Sequence, residues 1–250
     1  MELNELLTTA TSRRDALRSL GKLGAGAALA GTPFAVLMKA KPAYAQSGTS
    51  VVDILNYALT LEYLEATFYT MGVAQSGLIP ASDLPLFTAI RDDENAHVAF
   101  LKSQLGSQAV AKPTFDFTAG GMFDPFGDYA TFKLLSQAFE DTGVRAYKGQ
   151  APNLIGNDTV LQAALQIHSI EARHASMVRQ LNGLTGWIPL DQPEVPAAAQ
   201  PVYAGEAQTT QLGVSIPSVS NISAEEASEA FDEPLDMDAV LAIAGPFIGS

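Results

Sequence analysis

Glu171-Ala172-Arg173-His174 and Glu94-Asn95-Ala96-His97 each set a carboxylate and an imidazole three residues apart. On a helix, positions i and i+3 share a face, so each pair offers an oxygen and a nitrogen donor to one point. A glutamate precedes each pair at a matching distance: Glu62 lies 32 residues before Glu94, and Glu140 lies 31 before Glu171. A tyrosine follows each of these glutamates by seven residues, Tyr69 in one half and Tyr147 in the other. The middle of the chain therefore reads as one unit, Glu…Tyr…Glu-x-x-His, used twice. Carboxylate and imidazole donors without thiolate suit iron or manganese, and admit zinc.

Four helices must position these groups. The first is expected over about residues 50–73, with Val51, Ile54, Leu55, Ala58, Leu59, Glu62, Ala66, Tyr69 and Val73 facing inward. A glutamate in the middle of an apolar stripe is its informative feature. The second starts near Asp83, read as an N-cap with Pro85 in the first turn, and ends near Gly106. From Glu62 the first helix runs roughly 20 Å to its end, and the second returns roughly 17 Å to Glu94 at about 1.5 Å per residue. An antiparallel pair thus brings Glu62 level with Glu94 and His97. The third helix, about 128–148, has the weakest pattern and puts Glu140 at the edge of its stripe. The fourth, from about Asp158, is the clearest: Val160, Ala164, Ile167, Glu171, His174, Val178 and Leu181 form one seam. Two such hairpins facing each other converge four carboxylates and two imidazoles. Glu65 rivals Glu62, and Asp141 rivals Glu140. His168 sits off the seam and is expected exposed, while Glu65, Asp92, Asp93 and Arg173 read as surface charges or supports for the ligands.

This ligand set resembles that of the ferritin-like superfamily, whose di-metal carboxylate bundles use a glutamate from each of two helices and Glu-x-x-His from the other two. The stretch at residues 55–69, with Leu61-Glu62-Tyr63-Leu64-Glu65-Ala66-Thr67-Phe68-Tyr69 at its end, is similar to the secreted branch that includes plant desiccation-associated proteins. The resemblance covers roughly residues 48–185. It implies an all-α, ferritin-like four-helix bundle: two antiparallel hairpins joined by a long crossover, here the Gly- and Pro-containing residues 107–127. It also implies two iron ions on Glu62, Glu94, His97, Glu140, Glu171 and His174, with manganese or zinc as alternatives. Tyr69 and Tyr147 are candidates to hydrogen-bond the ligand carboxylates.

Outside the bundle, Ser12-Arg13-Arg14-Asp15-Ala16-Leu17-Arg18 resembles a twin-arginine export motif. A short apolar run at 23–38 and the small-x-small stretch Ala43-Tyr44-Ala45 follow, so residues 1–45 read as a signal cleaved near Ala45. The expected location is periplasmic or secreted. Residues 1–45 hold six Lys/Arg and three Asp/Glu, leaving eight basic and 24 acidic residues, net -16, in the remainder. That charge argues against nucleic acid and anionic membrane as partners. The absence of cysteine removes disulfides and thiolate metal sites. After the bundle (46–185), residues 186–250 are Pro-rich and mostly irregular. Short helices are expected after Ser223 and Asp236, and the apolar residues suggest that this extension packs back on the bundle.

Several activities are compatible with such a centre. The first expectation is redox chemistry with oxygen, peroxide or ferrous iron in oxidative or desiccation stress. The alternatives are a non-catalytic envelope protein stabilised by metal and a manganese catalase-like peroxide disproportionation. The expected assembly is a monomer or small homo-oligomer, not a large storage cage.

Overall fold

The computed structural model describes residues 49–192 and 195–249. The export signal expected at 1–45 lies outside the described residues. Helix α1 (Val51–Ala74) starts with a capping box: the Ser50 hydroxyl accepts the Asp53 amide, and the Asp53 carboxylate accepts the Ser50 amide, both at 3.1 Å. Helix α2 (Leu84–Leu105) carries Pro85 in its first turn and stops at Gly106, whose φ of 55° suits glycine. Asp83 stands at the N-cap position of α2, as expected, but its side chain makes no capping hydrogen bond. Its backbone is already helical, and its carboxylate instead accepts the Tyr129 hydroxyl at 2.7 Å. Helix α3 (Tyr129–Gln150) is capped by Asp128, which accepts the Thr131 amide at 2.8 Å. After a 3-10 turn (Ala151–Leu154), α4 (Asp158–Leu181) is capped by Asn157.

The two hairpins are antiparallel. Asn56, early in α1, donates to the Gln108 carbonyl just past α2, and Lys133, early in α3, donates to the Leu181 carbonyl at the end of α4. Contacts between α1 and α3 join the hairpins. One end of the interior is an aromatic cluster around Phe68, whose ring centroid lies 4.8 Å from Phe132, 5.1 Å from Phe139 and 5.2 Å from Phe117. Truncating a fully buried ring such as Phe132 to alanine would cost about 3–5 kcal/mol. Gly72 of α1 packs directly against the Phe132 ring, where a Cβ would clash.

The C-terminal extension closes over α3. It contains a two-stranded hairpin (β1, Thr210–Gln211; β2, Val214–Ser215) and three short helices. These are α5 (Ile216–Ser220), α6 (Ala224–Glu229) and α7 (Met237–Ala244). Ser223 forms a capping box with Glu226, and Asp236 caps α7, as expected; β1, β2 and α5 were not expected. Two buried arginines pin the extension. Arg145 donates to the carbonyls of Val202, Ala204 and Glu233 and pairs with Glu206 at 2.8 Å. Arg179 pairs with Asp141 at 2.9 Å and donates to the Thr185 and Trp187 carbonyls. The crossover also meets the chain end, through a bridge between Phe115 and Ile248. No helix among the described residues is long and apolar enough to cross a membrane.

This cover explains why α3 looked weak in sequence. It is buried on both sides, bundle and extension, from Leu135 through most of its length to Gln150, so polar residues such as Gln137, Asp141 and Arg145 are buried too and do not mark a solvent face. Glu140, expected at a stripe edge, is fully buried.

Candidate metal centre

Each hairpin supplies half of one polar cluster in the middle of the bundle. Glu62 comes from α1, Glu94 and His97 from α2, Glu140 from α3, and Glu171 and His174 from α4. Glu94, Glu140 and Glu171 are fully buried, and Glu62 nearly so. Two groups of donors result, each with its atoms within 4.8 Å of one another: Glu62, Glu94, His97 and Glu171 in one, and Glu94, Glu140, Glu171 and His174 in the other. Each group therefore holds one lone glutamate and one histidine. Glu94 and Glu171 belong to both. Either group could hold a metal ion.

The imidazoles face inward through Nδ1. His97 Nδ1 lies 3.1 Å from Glu62, 3.2 Å from Glu94 and 3.3 Å from Glu171. His174 Nδ1 lies 2.9 Å from Glu94 and 3.3 Å from Glu140. Several of these approaches are ion-pair distances without hydrogen-bond geometry. Glu94 Oε1, Glu140 Oε2, both carboxylate oxygens of Glu171 and His174 Nδ1 are buried with no hydrogen-bond partner among the described residues. Orphaned polar atoms this deep are costly, at about 1–3 kcal/mol each. Five lone-pair donors converging without partners are what a cation-binding site looks like from the protein side, and the donor types fit a pair of divalent ions.

The electrostatics of the metal-free cluster carry the same message. Burial, then the neighbouring Glu94 charge, push the Glu62 carboxyl up to about 8. Burial and repulsion from Glu94 push Glu171 well above the carboxylate range. Glu140 is raised by burial, against the pull of His174. Burial also opposes ionisation of Glu94, but the close approach of His174, His97 and the Glu62 carboxyl outweighs it and brings its carboxyl down to about 2. For His97, burial is outweighed by its carboxylate partners, which hold the ring protonated well above the usual imidazole range. Without metal, the histidines and Glu94 thus share out the charge that two cations would otherwise balance.

The two tyrosines cross between hairpins. Tyr69 of α1 donates to Glu140 Oε1 at 2.5 Å, and Tyr147 of α3 donates to Glu62 Oε1. Each therefore fixes the lone glutamate of the opposite half. Behind His174, Asp93 contacts Nε2 at 3.1 Å. An Nε2–H donated there leaves Nδ1 free to act as a ligand.

The residues around the six differ from expectation in instructive ways. Glu65 is not a surface charge. It is 4 % exposed, lies among the carboxylates, and is raised well above its ordinary range by burial and then by Glu171 and Glu94. Three residues beyond Glu62 on α1, it has the same inward face. Asp141, the rival to Glu140, points the other way, to Arg179 and the Tyr203 hydroxyl. His168 is half-buried rather than exposed, with Nδ1 3.0 Å from the Val144 carbonyl, and takes no part in the cluster. Arg173 and Asp92 are exposed.

Sequence reasoning missed Gly143. A Cβ on Gly143 would lie 2.8 Å from Glu171 Oε2 and 3.3 Å from Glu65 Oε1, so two carboxylates rest against the bare backbone of α3. A glycine in a helix interior, about 1 kcal/mol worse than alanine, was the available signal. Of the two roles the sequence left open for Asp93, surface charge or support for a ligand, its contact with His174 Nε2 fits the second.

A family model described as the ferritin-like domain matches residues 50–184, the whole of the four-helix bundle and its crossover. The chain belongs to the ferritin-like domain family. A comparison with curated proteins finds no match. The ferritin-like match ends at residue 184, so the extension that pins α3 through Arg145 and Arg179 lies beyond it.

Proposed function

We propose that this ferritin-like protein is an exported di-metal redox protein that binds two iron ions and reacts with a small oxidant. The observation that carries the reading is the pair of donor groups sharing Glu94 and Glu171, with their orphaned buried atoms. Glu62 and His97 would complete one position, and Glu140 and His174 the other. When bound, two iron ions would supply redox chemistry toward a small oxidant. The chain's own residues hold the ligands in place. Tyr69 and Tyr147 orient Glu140 and Glu62 through their hydroxyls, and Asp93 sets the tautomer of His174. The aromatic cluster keeps one end of the centre dry.

Burial of the four carboxylates also supports a second reading, in which metal serves only to stabilise the bundle. One experiment separates them. Protein purified without chelator is analysed by metal mass spectrometry, reconstituted with ferrous iron under anaerobic conditions, and mixed with oxygen or peroxide in a stopped-flow spectrometer. The redox reading expects about two metals per chain and an absorbance change that turns over. Two metals with no reaction would support the structural reading, and less than one metal per two chains would sink both.

A further inference from the structure

The bundle is not equally packed on the two sides of the centre. On one side, Ile90 and Val178, each one helical turn from a ligand, are essentially fully buried beside Tyr69, Phe87 and Phe132. The rings there are close, with Phe87 and Phe132 centroids 5.0 Å apart. On the other side lies a small cavity of about 30 Å³ between all four helices. Its wall includes Ala58, Leu101, Ala146, Tyr147, Ala164 and Ile167, and the surface it presents is apolar.

The wall residues tie this chamber to the centre. Ala58 precedes Glu62 by four residues, Leu101 follows His97 by four, and Ile167 precedes Glu171 by four. Each is therefore one turn along the same helix face from a ligand, a rise of about 6 Å. All three ligands belong to one donor group, that of Glu62, Glu94, His97 and Glu171. Tyr147 belongs to both places, since it lines the chamber and hydrogen-bonds Glu62.

We propose that this chamber admits dioxygen, an apolar diatomic, to the half of the centre formed by Glu62 and His97. The inference rests on the di-metal reading and narrows its oxidant. A cavity of this size has room for about one water, but water needs two to four polar partners, and apolar cavities stay dry while accepting apolar guests such as xenon. Peroxide, like water, must keep hydrogen bonds. Its approach is the opposite kind of surface, the α2 edge where Asp93 is exposed and contacts His174. Alanines at 58, 146 and 164 keep the chamber open, where larger apolar residues would fill it.

Two measurements decide the matter. Crystals of the wild-type protein pressurised with xenon should show a xenon atom in the chamber; none there overturns the proposal. In stopped-flow, the iron-loaded, reduced Ala164→Leu variant should react with oxygen at least about tenfold more slowly than wild type. Its reaction with peroxide should change less than about twofold, and its iron content should stay the same. Ala58→Val, a smaller filling on the facing helix, provides the same comparison if Ala164→Leu folds poorly. Equal slowing with both oxidants, or an unchanged oxygen rate in both filled variants, overturns the proposal. Failure of the wild type to bind iron would instead sink the di-metal reading, and xenon would still decide the chamber.

Discussion

Replacing Glu171 by glutamine should have opposite effects with and without metal. Both Glu171 oxygens are buried with no hydrogen-bond partner among the described residues, and burial and Glu94 push the carboxyl well above its usual range. In the metal-free protein this group is a burden. Glutamine keeps the shape and cannot ionise, so it removes the cost, about 1–3 kcal/mol, of holding protonated in the folded state a carboxyl that ionises in the unfolded chain. For a chain of this size each kcal/mol moves Tm by about 2–4 °C, so metal-free Glu171→Gln should melt about 3–10 °C above wild type. With metal the sign reverses. An ion at one hundred times its Kd stabilises by about 2.7 kcal/mol per site. Glu171 belongs to both donor groups, so the substitution weakens both positions. The Tm gain on adding ferrous or manganous ion, about 10–20 °C for two filled sites in wild type, should fall below half of that in the variant. Anaerobic differential scanning calorimetry of both proteins, with and without metal, measures all four values. If the metal-free variant melts below wild type, or metal raises both proteins equally, Glu171 is a structural polar group and the shared-ligand geometry is wrong.

Three further expectations can be measured directly. Without metal, stability should decline as pH rises from about 5 to 8: Glu62 is raised from 4.5 to about 8, and His174 from 6.5 to about 12 because Glu140 and Glu94 outweigh the effect of its burial. The folded state then holds protons that the unfolded chain has released, at about 1.4 kcal/mol per proton per pH unit. Glu94, lowered to about 2, acts in the other direction only below its ordinary value of 4.5. Metal affinity should rise over the same range as the ligands deprotonate, and metal-free melts that are flat or climb with pH would refute the assignment. Arg145→Met should leave Glu206 buried and unpaired, cost about 3–5 kcal/mol, and expose residues 186–250 to limited proteolysis; a Tm within 2 °C of wild type would contradict this. Replacing Arg13 and Arg14 together by lysine should trap a folded, metal-loaded precursor inside the cell, and efficient export of that variant would exclude the twin-arginine route.

The sequence alone determined the content of the centre. Helical geometry makes the i, i+3 spacing of Glu94/His97 and Glu171/His174 equivalent to a shared face, and the matching offsets of Glu62 and Glu140 set both hairpins in register. Local chemistry likewise marked the starts of two short helices in the extension, at Ser223 and Asp236, because a cap is decided within four residues. Choices that depend on helix rotation were not legible. Glu62 and Glu65 lie on one face, and only the packing of α1 against α2 and α3 places both inside, with Glu62 in a donor group and Glu65 beside it. Glu140 and Asp141 are adjacent, and the rotation of α3 is settled by Arg179, which pairs with Asp141 and leaves Glu140 to the centre. The sharing of Glu94 and Glu171, the crossed bonds of Tyr69 and Tyr147, and the chamber beside Glu62 all require two hairpins at a particular distance. Periodicity along one helix says which residues face inward; it carries no information about what waits on the other side, and that was decided by tertiary packing.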